Sequence, residues 1–235
     1  MRVLVTRPRD DAEAFAASLH FLGHTTVIEP LIDIVFLEGP PLDLTGVQAL
    51  AFTSANGARA AARRTGERRI RVIAVGPATA IEATMLGFVD VSLSNGEGVD
   101  GLSRSIVGAL NPRAGLILHV TGTVTAGDLI GALTAAGFSA RTERLYEARA
   151  ADALSGALCA ELVAGAIDAA AFFSPRTAAL FAALIEAENL AATCRGITAL
   201  ALSGAVANAL VSLPFREVRV ALRPTAEGML ALLAP

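Results

Sequence analysis

The stretch Ala51-Phe52-Thr53-Ser54-Ala55-Asn56-Gly57 decides how this chain folds, because it occurs twice. Ala171-Phe172-Phe173-Ser174-Pro175-Arg176-Thr177 repeats its layout: an apolar run, then a serine that opens a helical segment. A second pair follows the first. Ile73-Ala74-Val75-Gly76-Pro77-Ala78-Thr79-Ala80 is echoed by Leu200-Ala201-Leu202-Ser203-Gly204-Ala205-Val206-Ala207. The offsets are 174 − 54 = 120 and 203 − 76 = 127, so only small loop differences separate the copies. A third pair, Val3-Leu4-Val5-Thr6 and Leu118-His119-Val120-Thr121, has an offset of 121 − 6 = 115 and closes the cycle in rotated order. Each unit reads as strand, polar turn and helix. Two like sets predict two like lobes with a cleft between them.

Outward from these repeats, short apolar runs alternate with Ala-rich helical patterns. Strands are predicted over 2–6, 26–29, 49–52, 71–75, 89–92, 116–120, 139–143, 168–173, 196–202 and 217–221. Helices are predicted over 10–22, 54–64, 77–86, 125–136, 175–187 and 225–233. Ala14, Phe15, Leu19 and Leu22 make a helical stripe in the first of these. Ser54 is a natural N-cap, Pro77 an early-helix proline, and Gly137 a helix stop. Strand–helix alternation with short connections predicts an α/β fold, with parallel sheets covered by helices on both faces. The rotated order predicts a discontinuous domain, residues 1–34 plus 150–235, with a second domain over 37–146 inserted into it. Linkers are expected near 31–36 and 143–149. Both read as extended, so a two-stranded linker that permits hinge motion is expected.

Composition sets the outer limits. At 54 % hydrophobic and 17 % charged residues, the chain has ample material for buried cores and is not disordered in character. No run approaches the roughly 18 apolar residues of a membrane span. The N-terminus reads as a strand and turn rather than a signal peptide, and a cytoplasmic location is expected. A net charge of −3 argues against a nucleic-acid partner. Every basic residue is Arg, which rules out Schiff-base catalysis by a lysine of this chain. Cys159 and Cys194 read as two buried thiols. His20, His24 and His119 are scattered, and no metal site is expected. A monomer is expected.

Ligands of open parallel sheets bind beyond the carboxyl ends of the strands. At those ends stand Thr6 and Arg7, then Ser54 and Asn56, Gly76 and Thr79, Thr121 and Gly122, Ser174, and Ser203. Small hydroxyl and glycine turns at helix starts present free amides and the positive end of the helix dipole, which suits carboxylates or phosphates. The same residues serve as plain N-caps and turns, so capping alone also accounts for any one of them. No P-loop lysine motif, complete Gly-x-Gly-x-x-Gly or nucleophile elbow is present. A catalytic site here would hold and polarise a reactive anion.

Leu4-Val5-Thr6-Arg7-Pro8, Phe52-Thr53-Ser54-Ala55-Asn56-Gly57, Ala74-Val75-Gly76-Pro77-Ala78-Thr79-Ala80, Leu145-Tyr146-Glu147 and Phe172-Phe173-Ser174-Pro175, in that order, resemble the uroporphyrinogen-III synthase family. The resemblance runs over nearly the whole chain. It implies two flavodoxin-like domains on a two-stranded linker. It implies cyclisation of hydroxymethylbilane to uroporphyrinogen III, with inversion of ring D and loss of water, without cofactor or metal. Hydroxymethylbilane synthase would be a transient partner. By the family's pattern Tyr146 assists departure of the hydroxyl, and Thr79 contacts that hydroxyl or a carboxylate. Thr6, Arg7, Ser54, Asn56, Gly76, Thr121, Gly122, Ser174 and Ser203 form the binding set.

The chain departs from the family pattern at two points. A threonine usual in the later repeat is Val206, and a segment that often carries an Arg reads Ala126-Gly127-Asp128. These losses leave open a non-catalytic two-lobed protein that binds a tetrapyrrole or another polyanion.

Overall fold

The computed structural model describes residues 1–233 apart from 97 and 126, so Ala126 of the departing segment lies outside the described residues. In chain order the first elements are β1 (Arg2–Val5), α1 (Arg9–Phe21), β2 (Thr25–Ile28), β3 (Ile32–Phe36), β4 (Val47–Phe52), α2 (Ala55–Arg64), β5 (Arg71–Ala74) and α3 (Pro77–Met85). Next come β6 (Val91–Leu93), α4 (Gly98–Ala109), β7 (Leu116–Gly122), α5 (Leu129–Ala135) and β8 (Ala140–Ala150). The chain ends with α6 (Gly156–Val163), β9 (Ala169–Phe172), α7 (Pro175–Ala187), β10 (Thr198–Ala201), α8 (Gly204–Asn208), β11 (Glu217–Val220) and α9 (Ala226–Ala231). A 3₁₀ turn, Ala191–Gly196, precedes β10. No helix of the described residues is long and apolar enough to cross a membrane. The chain divides into two compact units, Met1–Asp33 with Arg149–Pro235, and Ile34–Ala148.

In the first unit the strands run β11-β10-β9-β1-β2, all parallel. Numbered in chain order within the unit, this is the 2-1-3-4-5 order of a flavodoxin-like sheet. Successive strand side chains face opposite ways, and both faces are buried, so the strands read as unbroken apolar runs. Val3, Val5, Ala169 and Ala171 enter one core with Phe15, Leu19 and Met229. Leu4, Ala170 and Phe172 enter the other with Phe181, Ile185 and Leu210. Burying an apolar side chain of this size contributes about 1.5–3 kcal/mol. Cys194 lies in that second core, where burial pushes its thiol up to about 11. Cys159, expected to be buried, is partly exposed on α6, which packs only one side against the core.

In the second unit the order is β3-β8-β7-β4-β5-β6. Taken from β7, the run β8-β7-β4-β5-β6 is again 2-1-3-4-5, with the chain start moved. This circular permutation is why the sequence repeats recur in rotated order. Leu50, Phe52, Leu118 and Val120 fill one core with Phe88, and Ala49, Ala51, Ile73 and Ile117 fill the other with Leu102 and Phe138. Leu37 donates its amide to Leu145 O at 2.8 Å and Ala151 to Leu31 O at 2.9 Å, so β3 runs antiparallel beside β8.

Helices α4, α6 and α8 and the shift of β6 to Val91–Leu93 are not part of the sequence reading, and two further differences bear on the site. β8 is one strand of 11 residues, not a strand over 139–143 followed by a separate linker, because β3 pairs along its later half. Helix α5 starts at Leu129 rather than near 125. Asp128 is its cap, accepting from the Gly131 amide at 2.8 Å.

Candidate active site

The site grows from the end of β4. Ser54 has extended backbone and caps α2, its Oγ accepting from the Gly57 amide at 3.2 Å. Tyr146 arrives from β8, 92 residues later, and its phenol oxygen lies 2.8 Å from Ser54 Oγ. A change of register brings it there. Along β7 and β8, Thr121 pairs with Arg144 but Gly122 pairs with Tyr146, so the ladder slips by one residue. Irregularities of this kind re-aim a side chain. The Tyr146 ring then rests on the bare backbone of Gly122, where a Cβ would stand 2.7 Å from Cε2. The Tyr146 carbonyl accepts from the Thr123 amide at 3.0 Å, which pins the strand. Tyr146 is 8 % exposed.

A pocket of about 490 Å³ opens at this point. Thr53, Ser54, Thr121, Thr125 and Tyr146 give it hydroxyls; Val75, Val99 and Val124 give it apolar walls. Among the described lining residues Asp100 is the charged one. Thr53 Oγ1 is hydrogen-bonded to His119 Nε2 at 3.2 Å. His119 is 5 % exposed, and burial holds its imidazole below the ordinary histidine value, so it is neutral near pH 7. The pocket thus offers one acidic O–H, several hydroxyls that both donate and accept, and the amide end of α2. It can hold an anion or a departing hydroxyl and deliver a proton to it.

The residues singled out in the sequence fall in four groups. Ser54, Thr121 and Tyr146 line the pocket, and Gly122 supports the Tyr146 ring. Gly76 and Thr79 stand at the neighbouring exit of β5, where Gly76 precedes α3 and Thr79 is 5 % exposed; neither is among the described lining residues. Asn56 is turned to structural use: its Oδ1 accepts from Arg59 at 3.0 Å, while Arg59 grips both oxygens of Glu82 at 2.9 Å, tying α2 to α3.

The remaining residues belong to the first unit, at the adjacent exits of β1, β9 and β10. Thr6 is fully buried, and its hydroxyl donates to Ala171 O at 3.0 Å. Arg7 pairs with Asp11 at 3.0 Å and lies 4.3 Å above the Phe173 ring. Ser174 caps α7 and is 2.8 Å from Thr177 Oγ1. Ser203 holds the cap position of α8 without a side-chain cap bond and is half-buried. Val206 is packed into the apolar core of this unit. Thr53, His119 and Asp100 are site residues that the sequence does not single out. The Thr53–His119 contact joins residues 66 apart and has no local signature. Among the described residues, no group of three or more His, Cys, Asp or Glu is placed to hold a metal.

Residues 13–231 match the family model described as uroporphyrinogen-III synthase HemD. Two solved structures are similar over nearly their whole length. One is uroporphyrinogen-III synthetase from Helicobacter pylori, at 18 % identity and a TM-score of 0.65, covering 99 % of this chain and 98 % of that one. The other is a mutant uroporphyrinogen III synthase from the extremely thermophilic bacterium Thermus thermophilus, at 19 % identity and a TM-score of 0.51, covering 99 % and 97 %. At such identities the likeness shows the α/β fold. No match was found among the curated proteins.

Proposed function

The chain belongs to the uroporphyrinogen-III synthase family, and from that premise we propose that it acts as a cyclising hydro-lyase, closing hydroxymethylbilane to uroporphyrinogen III with inversion of ring D and release of water. The observation that carries this reading is the Tyr146 phenol, bonded at 2.8 Å to the Ser54 cap in a hydroxyl-lined pocket. The linear tetrapyrrole is electron-rich and loses its terminal hydroxyl readily. Tyr146 gives its proton to that oxygen, the C–O bond breaks with its electrons on the departing water, and an azafulvenium cation remains. Ring closure on that cation releases a proton, which restores the phenol. Unaided closure gives the uninverted isomer, so the protein's work is mainly to hold the geometry that leads through the spiro route.

The substrate's acetate and propionate arms need donors, and the amide ends of α2 and α3 are suited to them. Thr79, Gly76, Thr121 and Gly122 belong to this proposed contact set, with Thr6, Arg7, Asn56, Ser174 and Ser203 contributing chiefly by shaping their turns. A cytoplasmic monomer that receives its unstable substrate from hydroxymethylbilane synthase is part of the same proposal.

The test is direct. Purified protein given freshly made hydroxymethylbilane should yield mostly the type III isomer; a mixture no richer in type III than the protein-free control would end the reading. Tyr146→Phe should slow turnover about 10- to 100-fold. That is the low end of general-acid effects, as expected when the leaving group ionises easily.

A further inference from the structure

We propose that Ser54 is a positioning residue for Tyr146 rather than a ligand for the substrate, and that it couples the amide end of α2 to the phenol; this rests on the reading of Tyr146 as the proton donor. Ser54 Oγ accepts the Gly57 N–H at 3.2 Å. That amide can only donate, so the hydroxyl proton of Ser54 stays available to its other neighbour, the phenol oxygen at 2.8 Å. Ser54 is assigned here as the donor of that bond, a direction the two oxygen positions alone do not fix. With Ser54 as donor, the phenol's own proton is free to face the pocket. The bond also strengthens at the right moment. As the proton passes to the departing hydroxyl, negative charge builds on the phenol oxygen. Ser54 O–H donates to that charge, and Gly57 N–H, in the first turn of a 10-residue helix, polarises Ser54 in turn. Because the Tyr146 ring is seated on Gly122, it swings little, and the hydroxyl pair keeps its spacing.

Three substitutions at Ser54 separate positioning from capping and from substrate binding. Aspartate caps a helix as well as serine does, but at neutral pH it accepts only. In Ser54→Asp the phenol must donate to the carboxylate, and its proton is turned away from the substrate. Ser54→Asp should therefore keep the wild-type melting temperature within a few degrees and lower kcat about as much as Tyr146→Phe. KM is read on an uncharged variant, because a carboxylate beside the amide end of α2 repels a polyanionic substrate. Ser54→Gly keeps most of the cap and removes the hydroxyl, and it should also lower kcat rather than raise KM. Ser54→Thr should restore most of the activity.

The double variant Ser54→Asp with Tyr146→Phe should be no slower than Tyr146→Phe alone. If Ser54 instead binds a substrate carboxylate, Ser54→Gly will raise KM and keep kcat, and the kcat loss of Ser54→Asp will multiply with that of Tyr146→Phe; that result overturns the inference and leaves the function standing. Full turnover in Tyr146→Phe, or no type III excess in the wild type, would instead fell the reading beneath it.

Discussion

Tyr146 and Gly122 fit together because Gly122 has no side chain: a Cβ there would lie 2.7 Å from Cε2 and 3.0 Å from Cζ of the ring. The ring cannot yield without moving its hydroxyl away from Ser54. Gly122→Ala should therefore lower turnover about tenfold, the scale expected when a catalytic group is displaced by a fraction of an ångström. The fraction of type III product should fall with it. Steady-state rates and isomer separation measure both. A variant with normal rate and isomer ratio would show that the ring is not seated where its hydroxyl matters.

A second expectation concerns the joint between α2 and α3. Arg59 and Glu82 face each other through two bonds of 2.9 Å, with side chains only 15 % and 22 % exposed. Removing the Glu82 charge takes from Arg59 its two-bonded carboxylate in a partly desolvated place. Glu82→Gln should cost about 1–3 kcal/mol, below the roughly 3–5 kcal/mol of fully buried pairs because water still reaches both groups. Replacing both partners by apolar residues of similar size should recover much of that loss. Denaturant unfolding of the single and double variants measures it; equal losses in both would show that the cost does not come from the charge left behind.

How far the sequence reveals this molecule depends on the range of the interactions. The two sheets are legible because strand runs such as Val3-Leu4-Val5 and Leu50-Ala51-Phe52, and caps such as Ser54 and Ser174, are written in neighbouring residues. Their rotated order even encodes the circular permutation. The full length of β8 is not legible. It is set by β3, more than 100 residues earlier, and by a register slip opposite Gly122. Within the site, Ser54 and Tyr146 can be singled out separately, but nothing local says that they touch. Nor does the sequence show that Asn56 is occupied by Arg59, or that Thr53 is held by His119. Asp128, by contrast, is an ordinary local cap signal for the start of α5.

Gly57 offers a test of packing rather than chemistry. A Cβ at this position would stand 2.9 Å from the carbonyl oxygen of Val120, a backbone atom that cannot turn aside. Alanine is the better helix former by about 1 kcal/mol, so propensity alone favours Gly57→Ala. The clash decides the sign, since overpacking of this kind costs about 1–3 kcal/mol and α2 would have to lift from β7. Net destabilisation is expected, along with slower turnover, because the Gly57 amide carries the Ser54 cap. Urea unfolding that finds the variant more stable than wild type would show that α2 and β7 approach less closely than this.

The last expectation concerns pH. Burial lowers the pKa of His119 from its ordinary 6.5. In the unfolded chain the imidazole binds a proton as pH falls through that value; in the fold it resists. Between the folded and unfolded values the unfolded state therefore holds more protons, and stability drops as the medium becomes more acid. The contribution is intact above about pH 6.5 and shrinks below it, by at most about 1.4 kcal/mol per pH unit. The carboxylates with lowered pKa act in a separate window. Asp43 is held down first by the Thr45 amide and Glu161 by the Arg2 side chain, and their contributions fail only below their ordinary 3.8 and 4.5. His119→Gln keeps a hydrogen-bonding partner within reach of Thr53 but cannot titrate. Its unfolding free energy should fall less steeply than the wild type's as pH drops below 6.5. Curves that stay parallel throughout would mean that His119 takes up its proton in the fold as easily as in water, and that the wall behind Thr53 is not dry.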